Sequence, residues 1–108
     1  MEQLKKQSDF KGYFSDPKQL VVFKFYAPWC GPCKHLSQTI EALTPEELRG
    51  VKVVEINVDD DMDDLCAEYN IRNIPVTLFM KDNMVLSKKI GDITKQDFLQ
   101  TLNDTIDQ

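Results

Sequence analysis

The chain has 108 residues, of which 42% are hydrophobic and 29% are charged, which is the composition of a single soluble globular domain. Its formal net charge of -5 argues against sequence-independent binding to nucleic acid or to an acidic membrane surface. No apolar run reaches the length of a membrane span, and residues 1–14 lack the apolar core of a secretory signal, so we expect a cytoplasmic protein.

The first elements are predicted to be a short strand and a helix. The strand lies within residues 1–6, and Ser8 is expected to cap the helix that follows. The apolar side of this helix carries three aromatic residues, Phe10, Tyr13 and Phe14. Asp16-Pro17 is expected to end it, because the residue before a proline is disfavoured in a helix.

Residues 20–27 form the most apolar run of the chain. They are rich in β-branched and aromatic residues, which predicts a buried strand. Prolines at 28 and 32 break the extended conformation. Positions 33, 36, 40 and 43 are apolar at helical spacing, so a helix is predicted to begin at the pair Cys30 and Cys33.

Such a Cys-x-x-Cys pair serves either as a redox-active dithiol or as half of a zinc site. A four-ligand zinc site needs two further ligands, and the chain offers only His35 and Cys66. His35 lies too close to Cys33 along a helix to join both thiols on one ion, and Cys66 is far away in sequence. An odd number of cysteines with one close pair also does not fit a secreted disulfide framework. The pattern therefore favours the dithiol.

The two cysteines are predicted to have unequal roles. Cys30 lies at the helix N-terminus, where unpaired N–H groups and the positive end of the helix dipole stabilise a thiolate. Cys30 is therefore predicted to be the nucleophile. Cys33 lies one turn further on, turned toward the core, and suits the resolving attack. Pro32 helps to start the helix because it lacks the N–H that would need a partner.

The middle of the chain is predicted to contain a helix break, a strand and an acidic helix. Thr44-Pro45-Glu46-Glu47 has the pattern of a capping box, so the long helix is expected to break and restart there and to end at Gly50. Residues 51–58 are β-branched and predict a strand, parallel to the first buried strand through a right-handed crossover. The acidic run 59–64 then opens a short helix that ends near Tyr69.

Two features of this acidic helix have an alternative interpretation. A calcium loop would need a glycine and a closing glutamate that residues 59–64 do not supply at the required spacing, so helix capping and a solvated surface are favoured. Cys66 lies on an apolar helix face and is interpreted as a small buried hydrophobic residue rather than as a regulatory thiol.

The last third of the chain predicts a hairpin and a helix. Pro75 precedes two strands, 76–81 and 84–90, which are joined by a two-residue turn at Asp82-Asn83. Thr94, with Asp97, is expected to cap the final helix. The side of that helix that packs on the sheet is expected to carry Phe98, Leu99, Leu102 and Ile106.

These motifs together resemble the thioredoxin family. The resemblance is carried by Trp29-Cys30-Gly31-Pro32-Cys33-Lys34 after an apolar strand, and by Ile74-Pro75-Val76-Thr77 and Gly91 at matching distances, and it covers nearly the whole chain. It implies an α/β thioredoxin fold in a single domain, 1–108, with a central mixed five-stranded β-sheet flanked by four α-helices.

The resemblance also implies a substrate groove. In the family, the proline that matches Pro75 is preceded by a cis peptide bond and packs opposite the dithiol, which leaves the backbone of Ile74 free to pair with an extended substrate segment. The other residues expected to form this shallow apolar groove are Trp29, Gly31, Pro32 and Gly91.

The function implied is that of a monomeric protein-disulfide reductase that needs no metal or organic cofactor. Its partners would be disulfide-containing proteins and an NADPH-dependent thioredoxin reductase that restores the dithiol. Pro32 favours a reductant, because isomerase and oxidant relatives typically carry histidine there. A disulfide isomerase or oxidant stays open as an alternative, as does a thioredoxin-like binding subunit whose partner needs its surface and not its thiols.

The chain departs from the family at one charged pair. Six residues before the first cysteine, thioredoxins usually place a buried aspartate that assists proton transfer at the resolving cysteine, often with a lysine on the neighbouring strand. Here the two positions are Lys24 and Glu55, each within an apolar strand. An unpaired buried charge is costly, so the two are expected to pair, although Lys24 could instead extend to the surface beside a solvated Glu55. If the two residues pair, Glu55 would be the proton acceptor for Cys33, directly or through water. The positive charge of Lys24 would then favour the thiolate form of the dithiol.

Overall fold

The computed structural model describes residues 1–108 and is built on a five-stranded sheet with strand order β1-β3-β2-β4-β5. The strands are β1 (Glu2–Leu4), β2 (Val21–Tyr26), β3 (Lys52–Asn57), β4 (Val76–Lys81) and β5 (Met84–Ile90). The first three strands are parallel, whereas β4 is antiparallel to both β2 and β5. The predicted mixed sheet and its parallel crossover between β2 and β3 are therefore confirmed.

Five helical segments flank the sheet, one more than expected. They are a 3-10 helix (Gln7–Phe14) and the α-helices α1 (Gly31–Glu41), α2 (Pro45–Leu48), α3 (Asp63–Glu68) and α4 (Lys95–Ile106). The additional segment is α2, which the predicted helix break separates from α1. No helix is both long enough and apolar enough to cross a membrane.

The break before α2 is a complete capping box. The backbone N–H of Glu47 donates to Thr44 Oγ1 at 3.1 Å, and the backbone N–H of Thr44 donates to Glu47 Oε1 at 2.9 Å. Arg49 then adopts a left-handed conformation with φ of 54°, which ends the helix and directs the chain into β3. The predicted break and capping box are therefore confirmed, but the helix ends at Leu48 with Arg49 as its C-cap residue and not at Gly50, because Arg49 already adopts the left-handed conformation that ends the helix.

The start of the 3-10 helix was predicted incorrectly. The helix begins at Gln7 with Lys6 as its N-cap residue, and no side chain caps it, so Ser8 does not have the expected role. The Gln7 side chain instead reaches across to α3, where its Oε1 accepts a hydrogen bond from the Leu65 N–H at 2.9 Å. A tertiary contact that is distant in sequence therefore fixes this helix start.

The sheet has a hydrophobic cluster on each face. Phe10, Phe23 and Met80 belong to the cluster on one face, whereas Leu36 and Phe98 belong to the cluster on the other. Side chains alternate along a strand, so the even-numbered residues of β2 and the odd-numbered residues of β3 face α1. Lys24 and Glu55 therefore lie on the same face of the sheet, beneath the helix that carries the cysteines.

The C-terminal hairpin and helix follow the predicted pattern. Asp82 and Asn83 form the two-residue turn with φ values of 48° and 65°. Thr94 Oγ1 accepts the Asp97 N–H at 3.0 Å and caps α4. On that helix Phe98 and Leu102 are fully buried and Leu99 and Ile106 are partly buried, as expected. The sequence pattern did not identify two further buried residues of α4, Thr101 and Thr105, whose hydroxyls donate to backbone carbonyls of the preceding turn.

Candidate active site

The two cysteines of the motif lie at the N-terminus of α1 and are joined as a disulfide, with their Cα atoms 5.3 Å apart. Cys30 is the N-cap residue, in an extended conformation, and its Sγ accepts a hydrogen bond from the Cys33 N–H at 3.2 Å. Pro32 occupies the first turn, where its missing N–H leaves no helical hydrogen bond unmade. When the disulfide is reduced, the same N–H group and the helix dipole will stabilise a Cys30 thiolate.

Both cysteines are less exposed than expected for residues at the end of a helix. Cys30 retains 5% of its accessible surface and Cys33 retains 1%. Ala27 and Ile74 pack against the pair, which explains the low exposure. Cys30 was expected to be more exposed than Cys33. It is, but the difference in accessible surface is small.

Cys30 lies beside the segment that contains Pro75. The Ile74-Pro75 peptide bond is cis, as the resemblance implies, and Cys30 Sγ lies 3.9 Å from the carbonyl oxygen of Ile74. The N–H of Gly91, which has a φ of 90°, donates to the carbonyl of Pro75 at 2.7 Å, so Gly91 lies next to the cis-proline. Glycine suits this position because side chains disfavour a positive φ.

The residues that flank Cys30 on the helix side are open to solvent. Gly31 and Pro32 are exposed, and Trp29 retains 71% of its accessible surface. The Trp29 ring is held in place by Asp59, because its Nε1–H donates to Asp59 Oδ2 at 2.9 Å. The first aspartate of the acidic run therefore orients the tryptophan beside the dithiol.

Lys24 and Glu55 form a buried ion pair behind the dithiol. They are direct neighbours in the parallel register of β2 and β3, and Lys24 Nζ lies 2.9 Å from Glu55 Oε2. Lys24 is fully buried, whereas 13% of the Glu55 side chain remains exposed. The Lys24 ammonium also donates to the carbonyl oxygen of Cys33 at 3.4 Å. The predicted pairing is present, and it places a positive charge against the first turn of α1.

The sequence model of the Thioredoxin family matches residues 2–104. The chain belongs to the thioredoxin family. It is 32% identical over 99 residues to a thioredoxin of Haemophilus influenzae, covering 92% of each chain, and 40% identical over 83 residues to a thioredoxin of Porphyra purpurea, covering 77% of each. The crystal structure of Fasciola hepatica thioredoxin is similar with a TM-score of 0.85 and 25% identity, covering 97% of this chain and 99% of that one.

Family membership and the Cys30–Cys33 disulfide identify a protein thiol-disulfide oxidoreductase with protein-disulfide reductase activity. Thioredoxins act on disulfides of partner proteins, so the substrates of this chain are disulfide-containing proteins. The expected thioredoxin fold is confirmed.

A third polar residue, Ser37, lies at the buried charged pair. The Lys24 ammonium contacts the Ser37 hydroxyl, and Ser37 Oγ lies 3.4 Å from Glu55 Oε2. The second oxygen of Glu55 accepts a hydrogen bond from Gln3 Nε2 at 3.0 Å. Ser37 was not among the residues predicted to form the site. The signal that could have found it is its position four residues after Cys33, on the same helix face.

Tyr26 covers the other side of the charged pair. Its ring centroid lies 5.2 Å from Lys24 Nζ, and its hydroxyl donates to Gln3 Oε1 at 3.1 Å. Burial raises the pKa of Tyr26, and the nearby carboxylates of Glu55 and Asp60 raise it further. Tyr26 therefore stays neutral at physiological pH, and the charge balance behind the dithiol depends on Lys24 and Glu55.

Cys66 lies apart from the dithiol, on α3. It is half-buried and packs against the hydrophobic cluster that contains Phe10, and it is the free cysteine of the chain. Burial raises the pKa of the Cys66 thiol, and the Asp63 carboxylate raises it further. Because the thiolate is the reactive form, both effects lower the reactivity of Cys66 at neutral pH.

We therefore expect iodoacetamide at neutral pH to alkylate Cys30 of the reduced protein well before Cys66. Peptide mapping by mass spectrometry measures the two rates. Protein unfolded in urea is the control, since Cys66 should then react like an ordinary cysteine. If Cys66 in the folded protein is alkylated as fast as Cys30, its interpretation as an inert packed residue is wrong.

Proposed function

We propose that Cys30 and Cys33 reduce substrate disulfides in two steps with unequal roles. The Cys30 thiolate attacks one sulfur of the substrate disulfide, and the other substrate sulfur leaves as a thiolate that takes up a proton. Cys33 then loses its proton and attacks Cys30 Sγ, which releases the second substrate sulfur and forms the Cys30–Cys33 disulfide. Two electrons pass to the substrate, and no metal or organic cofactor takes part. The observation that carries this proposal is the disulfide at the N-terminus of α1, with Cys30 as the N-cap residue.

The groove is proposed to bind an extended segment of the substrate protein. The backbone of Ile74 would pair with this segment, as a strand pairs with a sheet edge, and Pro75 and Gly91 would form the rim behind it. Trp29, Gly31 and Pro32 would contact the segment from the helix side. The exposure of Trp29 and the 3.9 Å separation between Cys30 Sγ and the Ile74 oxygen support this arrangement.

Lys24 and Glu55 are proposed to adjust the chemistry of the dithiol. Glu55 would accept the proton that Cys33 loses in the second step, and the buried Lys24 ammonium would favour the thiolates of the reduced form. Support comes from the 2.9 Å ion pair and from the hydrogen bond that Lys24 donates to the Cys33 carbonyl.

The wider setting is also a proposal. We propose a cytoplasmic monomer whose 108 residues act as one domain and whose dithiol is restored by an NADPH-dependent thioredoxin reductase. A free cysteine beside a single redox pair fits a reducing compartment. The alternatives, a disulfide isomerase or oxidant and a non-redox binding subunit, have no observation that favours them.

An insulin-reduction assay tests the proposed function. We expect turnover with dithiothreitol as the reductant, and also with a suitable thioredoxin reductase and NADPH, whereas the Cys30→Ser, Cys33→Ser double variant should be inactive. A measured redox potential separates a reductant from an isomerase or oxidant, whose potentials are higher. An assay rate equal to that of dithiothreitol alone, or a double variant that keeps full function for a partner, would contradict the proposal.

A further inference from the structure

The face of α1 that carries Cys33 and Ser37 borders a pocket of about 430 Å³. Its lining includes Ala27, Pro28 and Gln38 in addition to these two residues. Cys33 and Ser37 are four residues apart and therefore project from the same side of the helix, one turn from each other. The buried Cys33 and the half-buried Ser37 therefore line the same pocket, which is large enough to hold water.

Ser37 also contacts both members of the buried charged pair. Its hydroxyl accepts a hydrogen bond from the Lys24 ammonium and donates to Glu55 Oε2 at 3.4 Å. A hydroxyl has one proton to donate and two acceptor positions, so one acceptor position of Ser37 stays available to water. Lys24 is fully buried and exchanges no proton with solvent directly. Ser37 therefore contacts the charged pair and also lines the pocket.

We propose that Ser37 is a positioning residue that connects the Cys33 thiol to Glu55 and carries the proton that Cys33 loses in the resolving step. The proton leaves Cys33 Sγ through water in the pocket to Ser37 Oγ, while the Ser37 hydroxyl proton passes to Glu55. The Cys33 thiolate then forms the bond to Cys30 Sγ, the bond from Cys30 to the substrate breaks, and the substrate sulfur leaves with the electron pair. Glu55 afterwards returns the proton to solvent along the same route.

This inference rests on the proposed two-step mechanism, and the pH dependence of the second step tests it. With an internal acceptor, the resolving rate of the wild type should vary little between about pH 6 and pH 8. Without the relay, the rate should follow the thiolate fraction of Cys33 and rise about tenfold per pH unit below its ordinary pKa of about 8.5. The charges that face Ser37 are Lys24 from β2, Glu55 from β3 and Lys34 from α1 itself. The Tyr26 phenol stays neutral over this range, and Gln3 of β1 carries no charge.

The experiment is a stopped-flow reaction of the reduced protein with limiting DTNB, a chromogenic aryl disulfide, in a Cys66→Ala background. The first aryl thiolate released reports the attack by Cys30, and the second reports the attack by Cys33. We expect Ser37→Ala to leave the first phase unchanged and to slow the second by about tenfold or more at pH 7, since general base catalysis contributes about 10²–10⁴-fold. The two proteins should converge above the ordinary pKa of the thiol.

Two variants separate a relay from a structural effect. Ser37→Thr keeps the hydroxyl and should restore the shallow pH profile, whereas Thr39→Val removes a hydroxyl that bonds only to the His35 carbonyl of α1, at 3.3 Å, and should match the wild type. A Ser37→Ala second phase with the rate and pH profile of the wild type would overturn the relay while leaving the two-step mechanism intact. A wild type that releases only the first thiolate would instead overturn the two-step mechanism.

Discussion

Exchanging Lys24 for aspartate should lower the free energy of unfolding by about 3–5 kcal/mol, the usual cost of breaking a buried ion pair. The variant places a carboxylate beside Glu55, which then has no cation at 2.9 Å. Glu55→Lys should be similarly destabilising, because it leaves two cations together with Lys24 fully buried. The double exchange restores opposite charges and should recover most of the stability. Urea denaturation of the oxidised proteins measures all four values.

The matched control is an exposed ion pair on the same sheet. Lys52 Nζ lies 3.5 Å from Glu2 Oε1, and both side chains are about half exposed, at 54% and 47%. Exchanging these two residues singly should change the stability by less than about 1 kcal/mol, as is usual for exposed pairs. Additive losses from Lys24→Asp and Glu55→Lys in the double variant would show that the buried pair does not act as a unit.

The same double exchange tests the role of Lys24 in the redox chemistry. A buried ammonium near Cys33 stabilises the thiolate of the reduced form and so makes the protein more oxidising. Moving the positive charge to position 55 should therefore make the potential more negative, with about 30 mV for every 1.4 kcal/mol of lost thiolate stabilisation. Equilibration with glutathione measures this shift. An unchanged potential in a stably folded double variant would remove the tuning role from Lys24.

Cys30→Ser should abolish the reduction of insulin, because it removes the sulfur that makes the first attack. Cys33→Ser should instead stop the reaction at the mixed disulfide, since no second thiol is left to release the substrate from Cys30. In a cell lysate, Cys33→Ser should therefore hold partner proteins through disulfides that dithiothreitol cleaves, and Cys30→Ser should hold almost none. Non-reducing gel electrophoresis compares the two.

The Cys30→Ser, Cys33→Ser double variant is the control for thiol-independent binding. Proteins that it also captures are bound by the surface alone and are subtracted from both single variants. The small difference in exposure, 5% against 1%, means that the helix N-terminus and not accessibility has to distinguish the cysteines. Equal capture by the two single variants would show that this local effect is too weak to assign their roles.

Elements whose signals lie within a few residues could be predicted from the sequence. The apolar run 20–27, the capping box at Thr44 and the turn at Asp82-Asn83 each specify a local conformation, and each is found in the structure. The helix start at the Cys30–Cys33 pair is local in the same sense, because a proline in the first turn and the spacing of apolar residues set it. Residues that do not need a distant partner were therefore predictable.

Features that join distant parts of the chain were predicted from the resemblance to the thioredoxin family and not from local sequence signals. It implied the cis bond before Pro75 and the groove residues near Gly91, which are distant in sequence from the dithiol. It also identified position 24 as unusual, so that a lysine in an apolar strand suggested a partner on the neighbouring strand. The pairing of Lys24 with Glu55 was expected from these family positions and the opposite charges, but its geometry was not.

The groups that meet behind the dithiol depend on how the sheet and α1 pack together. The parallel register of β2 and β3 places Lys24 opposite Glu55, and the packing of α1 on that face brings Ser37 onto the pair. The start of the 3-10 helix was decided in the same way, since the Gln7 side chain bonds to the backbone of α3. In each case a single polar side chain is satisfied by a group more than a dozen residues away. Hydrophobic periodicity specifies which face of an element is buried, but a specific polar contact depends on the register and packing of the elements that meet there.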